Sequence, residues 1–280
     1  MDDLGERVGP KATEGEVRKR RFSGRGLSLR AVVPNAITAA AMCAGLTGIR
    51  FAIVGDWEKS LFAVILAGVL DGIDGRIARL LKAQSRFGAE LDSLADSLSF
   101  GMAPALILYL WSLQDWPRFG WFACLAFALA ATLRLARFNA QIDEDDQPHK
   151  SAGFLTGVPA PVGAGLAFLP FYLWIATGID AFRDPIVNAV WIALMAFFMI
   201  SNIATLSWSA IKPQRSVRLE MIFGIGLLFA ALLSEPWWTL VAICAAYLAL
   251  MPLGIMRYSR VKRQREAAGA KPPAEPAALP

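Results

Sequence analysis

Four aspartates stand in stretches apolar enough to enter a lipid bilayer. Asp71 and Asp74 are three positions apart and Asp92 and Asp96 four apart, so each pair shares one helix face. An ionised aspartate at the centre of a membrane helix costs about 2.5–3.5 kcal/mol on insertion scales, and four together repel one another. A cation belongs among them. Clustered carboxylates select hard divalent ions such as Mg²⁺ or Mn²⁺, above all where phosphate oxygens complete the shell. Gly75 and Ala78 follow Asp71 on the same face, and Gly88 sits one turn before Asp92. These small residues leave room for a bulky polar ligand or for close helix packing. Arg79 offers a phosphate a fixed positive charge. An ion-pair network of Asp71 and Asp74 with Arg76 and Arg79 would account for one pair of acids but not for both.

The elements that must hold these residues are long apolar helices. The 280-residue chain is 56% hydrophobic and 18% charged, against roughly 25% charged in a soluble domain. Apolar stretches lie near 33–54, 60–81, 90–112, 117–138, 157–178, 186–208, 217–234 and 237–256. Most approach the ~20 residues that cross a bilayer core. They predict an all-α polytopic membrane protein with about eight transmembrane helices. A short turn around 82–87 makes the second and third antiparallel neighbours, with the acids facing a groove at one membrane surface.

Eight Lys or Arg fall in the first thirty residues without a following short apolar region and cleavage site, which argues against a cleaved signal peptide. With eight spans, one side holds Lys59, Arg118, Arg183 and Arg50, and the other holds the remaining 24 of 28 basic residues. The positive-inside rule then makes both termini and the acids cytoplasmic. The net charge of +5 is read as topology. Basic tails attract anionic membrane lipids, and nucleic acid is not an expected partner.

Residues 1–30 read as a basic arm, 31–256 as a transmembrane catalytic domain, and 257–280 as a basic, Pro/Ala-rich disordered tail. Pro34 suits the start of the first span. Trp57, Trp111, Trp116, Trp237, Trp238 and Tyr258 fit interfacial anchors. The run Asp143-Glu144-Asp145-Asp146 fits a solvated loop, and the isolated Cys43, Cys124 and Cys244 fit buried packing residues. His149 is the sole histidine, which rules out histidine-based metal sites.

The pattern Asp71-x2-Asp74-Gly75-x2-Ala78-Arg79-x8-Gly88-x3-Asp92-x3-Asp96 resembles the complete signature of the CDP-alcohol phosphatidyltransferase family. The resemblance implies six core helices around a site for two divalent metals, Mg²⁺ or Mn²⁺, and the pyrophosphate of a CDP-linked lipid. It implies that Asp71, Asp74 and Asp92 are the main metal ligands, with Asp96 as general base near the second metal. Asn35, Thr38, Gly75, Ala78, Arg79, Ser85 and Gly88 become the CDP-lipid contacts; for Asn35 and Thr38, helix capping is an equal alternative. A homodimer in the bacterial inner membrane is implied too.

Segments 97–105, 133–139 and 154–161 resemble the membrane-integral phosphatidylserine synthases of bacteria, a branch of that family. The substrates implied are CDP-diacylglycerol and serine. A serine carboxylate in a partly dry site calls for an arginine, and Arg134 and Arg137 lie at the right depth; Asn139 is placed either to hydrogen-bond the acceptor or to cap the helix end. Positive-inside anchoring and helix capping would also explain these three. Choline, glycerol 3-phosphate and inositol are the alternative acceptors. A divalent-cation transporter is the remote alternative, although its acids would be spread over several helices near mid-membrane.

Overall fold

The computed structural model describes residues 29–140, 154–201, 204–206 and 218–269. Most of the basic arm, the acidic run 143–146 with His149, and the chain from 270 onward lie outside the described residues. The described helices are α1 (Leu29–Ile53), α2 (Trp57–Leu80), α3 (Arg86–Asp96), α4 (Ala103–Trp111), α5 (Pro117–Ala140), α6 (Ala160–Ala167), α7 (Leu169–Thr177), α8 (Pro185–Ile200), α9 (Arg218–Ser234) and α10 (Pro236–Gly269). Two short strands, β1 (Phe154–Thr156) and β2 (Ala204–Leu206), pair antiparallel with Leu155 opposite Thr205.

The expectation of about eight membrane helices is corrected to four. Among the described residues, the helices long and apolar enough to cross a membrane are Val32–Ile53, Arg86–Trp111, Pro117–Ala140 and Ala160–Thr177. Helix α2 has the length, but Glu58, Lys59, Asp71, Asp74, Arg76 and Arg79 make it too charged. Helices α8 and α9 are apolar but only 16 and 17 residues long, and in α10 the apolar part ends at Pro252. The apolar run 186–208 continues past α8 into β2, so it overstates helix length. Four such helices make this a multi-pass membrane protein.

Two of the four are composite. A π-helical turn, Ser97–Met102, joins α3 to α4; such turns are frequent at functional sites. Helices α6 and α7 meet at Phe168, two residues before Pro170. Pro170 has no N–H for the Leu166 carbonyl, and that carbonyl accepts from Trp191 Nε1 at 2.9 Å. A neighbouring helix thus satisfies the group a proline leaves free.

At the end remote from the acids, the core is aromatic. Trp111 is fully buried and stacks on Phe171 with ring centroids 4.1 Å apart, so it is a core residue and not an interfacial anchor. Cys124 and Cys244 are buried as expected, whereas Cys43 is exposed. Helix α1 begins before Pro34, which lies inside it. Asn35 and Thr38 are therefore not caps. Gly157, with φ +74°, ends β1 against the end of α8. A methyl group there would come within 2.8 Å of the Met199 carbonyl oxygen, so only glycine fits.

Candidate active site

Helix α1 packs along α2 and also against α3, while α2 and α3 hardly touch along their backbones. The expected antiparallel neighbours are thus held apart by the helix they share. The turn between them is tight nonetheless. Lys82 takes a left-handed conformation, φ 50°, and Ser85 caps α3 by accepting from Gly88 N at 3.0 Å. The gap between α2 and α3 is the site.

Carboxylates reach across it. Asp71 and Asp74 from α2 and Asp92 from α3 each place an oxygen within 4.8 Å of the others. The Asp96 carboxyl lies one turn further along α3, beside that of Asp71. Among the described residues, no ion pair joins Arg76 or Arg79 to these acids, so the ion-pair network is not formed. Three converging carboxylates, all hard oxygen donors, can hold a divalent ion. Asp74 is the most buried, 3% exposed, and Thr38 Oγ1 donates to its Oδ2 at 2.6 Å. Such an outer partner fixes the direction in which a ligand oxygen points.

Beside the acids lies a cavity of about 310 Å³, lined by Pro34, Asn35, Thr38, Asp74, Gly75, Ala78, Arg79, Ala83, Gln84, Ser85, Gly88, Ala89 and Asp92. All seven residues expected to contact a CDP-lipid line it together. The two glycines serve it differently. A methyl group on Gly88 would come 2.9 Å from Asn35 Oδ1 and 3.1 Å from Ser85 Oγ, so Gly88 lets α3 approach α1. A methyl group on Gly75 would meet no protein atom within 4 Å. Packing does not require glycine at 75; the space it keeps open belongs to the cavity.

Of the residues expected at the acceptor, Arg134 stands by Asp96. It is half-buried, feels the charge of Asp96 and lies near Tyr247, and its Nε is buried without a hydrogen-bond partner. Arg137 donates from Nη1 to the Ile200 carbonyl at 3.1 Å, tying α5 to the last turn of α8. Asn139 donates from Nδ2 to Ser93 Oγ at 2.7 Å. Sequence reasoning missed Ser93, Ser97 and Thr132, which join α3 and its π-turn to α5. Their signal is faint: Ser93 and Ser97 each directly follow one of the aspartates.

Comparison with known proteins places the chain in a family. The model of the CDP-alcohol phosphatidyltransferase family matches residues 31–205, and that of CDP-alcohol phosphatidyltransferase 2 matches 217–252. The CDP-diacylglycerol–serine O-phosphatidyltransferase of Mycobacterium tuberculosis (strain H37Rv) is 35% identical over 231 residues, covering 82% of this chain and 80% of that protein. The Helicobacter pylori (strain 26695) protein of the same name is 31% identical over 196 residues, 70% of this chain and 81% of its own. The Bacillus subtilis (strain 168) one is 30% identical over 172 residues, 61% and 88%.

Proposed function

The chain belongs to the CDP-alcohol phosphatidyltransferase family, and on that premise we propose that it is a CDP-diacylglycerol–serine O-phosphatidyltransferase. It moves the phosphatidyl group from CDP-diacylglycerol to the serine hydroxyl and releases CMP. The observation that carries this reading is the meeting, in one groove, of a metal-binding acid trio with the cavity beside it. The names of the relatives support serine as the acceptor.

Asn35, Thr38, Gly75, Ala78, Arg79, Ser85 and Gly88 bind the CDP head in the cavity, and the acyl chains stay outside in lipid. Asp71, Asp74 and Asp92 would hold Mg²⁺ or Mn²⁺, and family resemblance adds a second ion near Asp96. Bound there, a divalent ion stabilises charge on the transferring phosphoryl group and the leaving phosphate. Arg134 pairs with the serine carboxylate and Asp96 takes the proton from its hydroxyl. The serine oxygen forms a bond to the phosphorus bearing diacylglycerol as the bond to CMP breaks. Arg76, Arg79, Lys82, Arg86, Arg134 and Arg137 cluster at the end of the bundle that carries the site, which supports a cytoplasmic active site in a bacterial inner membrane. A homodimer rests on family resemblance.

The test is made in isolated membranes given CDP-diacylglycerol and labelled serine. Phosphatidylserine and CMP should form with Mg²⁺ or Mn²⁺ and stop on addition of chelator. Use of glycerol 3-phosphate, inositol or choline in place of serine would overturn the acceptor.

The open face at Gly75 gives a separable expectation. Gly75→Ala adds its methyl group to the donor cavity while removing a helix-interior glycine, worth about 0.5–1 kcal/mol in the protein's favour. The variant should melt no lower than wild type, with the KM for CDP-diacylglycerol raised about tenfold and that for serine unchanged. Steady-state kinetics varying each substrate in turn checks this. An unchanged donor KM would mean that the cavity does not hold the donor.

A further inference from the structure

Helix α3 carries two of the four carboxylates, yet little apolar packing holds it. Of its side chains only Ala95 is buried, and Phe87 and Leu94 are 62% and 67% exposed. The outward apolar face of Phe87 and Leu94 and the close approach to α1 at Gly88 set its rotation coarsely, but few buried side chains hold it finely. Turning it by about 20° would swing a carboxylate ~6 Å from the axis by roughly 2 Å, as far as a whole metal–oxygen bond. Polar contacts to a neighbouring helix can fix the angle finely.

Two hydrogen-bond relays to α5 do so. Asn139 Nδ2 donates to Ser93 Oγ at 2.7 Å, and Ser93 donates in turn to the Ala89 carbonyl at 3.0 Å. Thr132 Oγ1 donates to the Ala128 carbonyl at 2.9 Å and stands 2.9 Å from Ser97 Oγ. The Thr132 proton is committed to Ala128, so Ser97 is the donor between them. Each hydroxyl has one proton, so both relays have a fixed direction and end on a backbone carbonyl. Ser93 follows Asp92 and Ser97 follows Asp96. Each relay is therefore one residue, about 100° of helix, from the carboxylate it would aim. Helix α5 packs on the π-turn Ser97–Met102 rather than on α3, so the Asn139–Ser93 bond spans helices that do not otherwise interlock.

We propose that these relays aim the two α3 carboxylates, which makes Ser93, Asn139, Ser97 and Thr132 positioning residues. The first relay sets Asp92 in the metal trio and the second sets Asp96. The assignment of separate tasks to Asp92 and Asp96 rests on the function proposed above. Asn139 on this account binds no substrate.

The two relays should fail differently. Using purified full-length protein, Mn²⁺ binding without substrate is followed by electron paramagnetic resonance, and turnover is measured separately with CDP-diacylglycerol and serine. Asn139→Leu and Ser93→Ala should weaken Mn²⁺ binding about tenfold, as loss of an outer partner of a metal ligand does. Thr132→Val should leave Mn²⁺ binding within about twofold and lower kcat about tenfold, and Thr132→Ser should restore it. The serine KM should not move in any of them. A rise in serine KM alone for Asn139→Leu would overturn the proposal, since Asn139 would then touch the acceptor. So would unchanged Mn²⁺ affinity in both first-relay variants, or Thr132→Ser as impaired as Thr132→Val. The Mn²⁺ arm needs no substrate, so a wild-type protein that binds Mn²⁺ but does not use serine would sink the functional reading while leaving the first relay on trial.

Discussion

Asp96→Asn lowers kcat by about 10²–10⁴, the usual contribution of a positioned general base, while the folded protein still binds Mn²⁺. Asparagine keeps the shape of aspartate and loses the capacity to take a proton. The split between activity and metal binding follows from geometry. Asp71, Asp74 and Asp92 converge within 4.8 Å, and Asp96 is not in that trio. It lies beside Asp71 and within electrostatic reach of Arg134, so it stands between the acid trio and the arginine proposed to meet the acceptor. Asp92→Asn should behave in the opposite way, losing Mn²⁺ affinity and turnover together. Turnover of Asp96→Asn within tenfold of wild type would remove Asp96 from the role of base. Loss of Mn²⁺ binding along with activity would make it a ligand instead.

How much of this site can be read in the sequence depends on how local each signal is. The acids and small residues are spaced by helix periodicity, so their common face is legible at once. The cavity contains all seven residues expected from the resemblance because they sit on the facing parts of α1, α2 and α3. The number of membrane helices is less legible. Hydropathy reads on from α8 into β2, and it cannot say that the charges of α2 leave it short of a membrane helix. The π-turn is invisible to any pattern of fixed period. Least legible are contacts such as Asn139 to Ser93, 46 residues apart, and Arg137 to Ile200, 63 apart. Two of the three residues expected at the acceptor, Arg137 and Asn139, have protein partners. Trp111 misled in the same way: its place near a span end suggested an interface, but Phe171 and Trp174 enclose it.

On the proposed function Arg134 recognises the acceptor, and Arg134→Gln should reduce kcat/KM for serine by roughly 10². A positive-inside anchor would carry its guanidinium out to water. Here Nε is buried and unpartnered, and an unmet buried donor costs about 1–3 kcal/mol. A carboxylate offers such a guanidinium two oxygens in its own plane. Serine has that carboxylate and ethanolamine does not, so the two acceptors separate the functions open to Arg134. Breaking a fully buried charge pair costs about 3–5 kcal/mol; for a half-buried arginine the lower end, or less, applies, which gives the hundredfold figure. Were Arg134 present only to support the charge of Asp96, its loss would slow every acceptor alike. As the carboxylate partner, it should leave the slow reaction with ethanolamine nearly unchanged and erase the preference for serine. Arg134→Lys should fall between, since the charge remains and the planar fork does not. Parallel assays of CMP release with each acceptor decide the matter: equal losses on serine and ethanolamine would transfer Arg134 from substrate recognition to the support of Asp96.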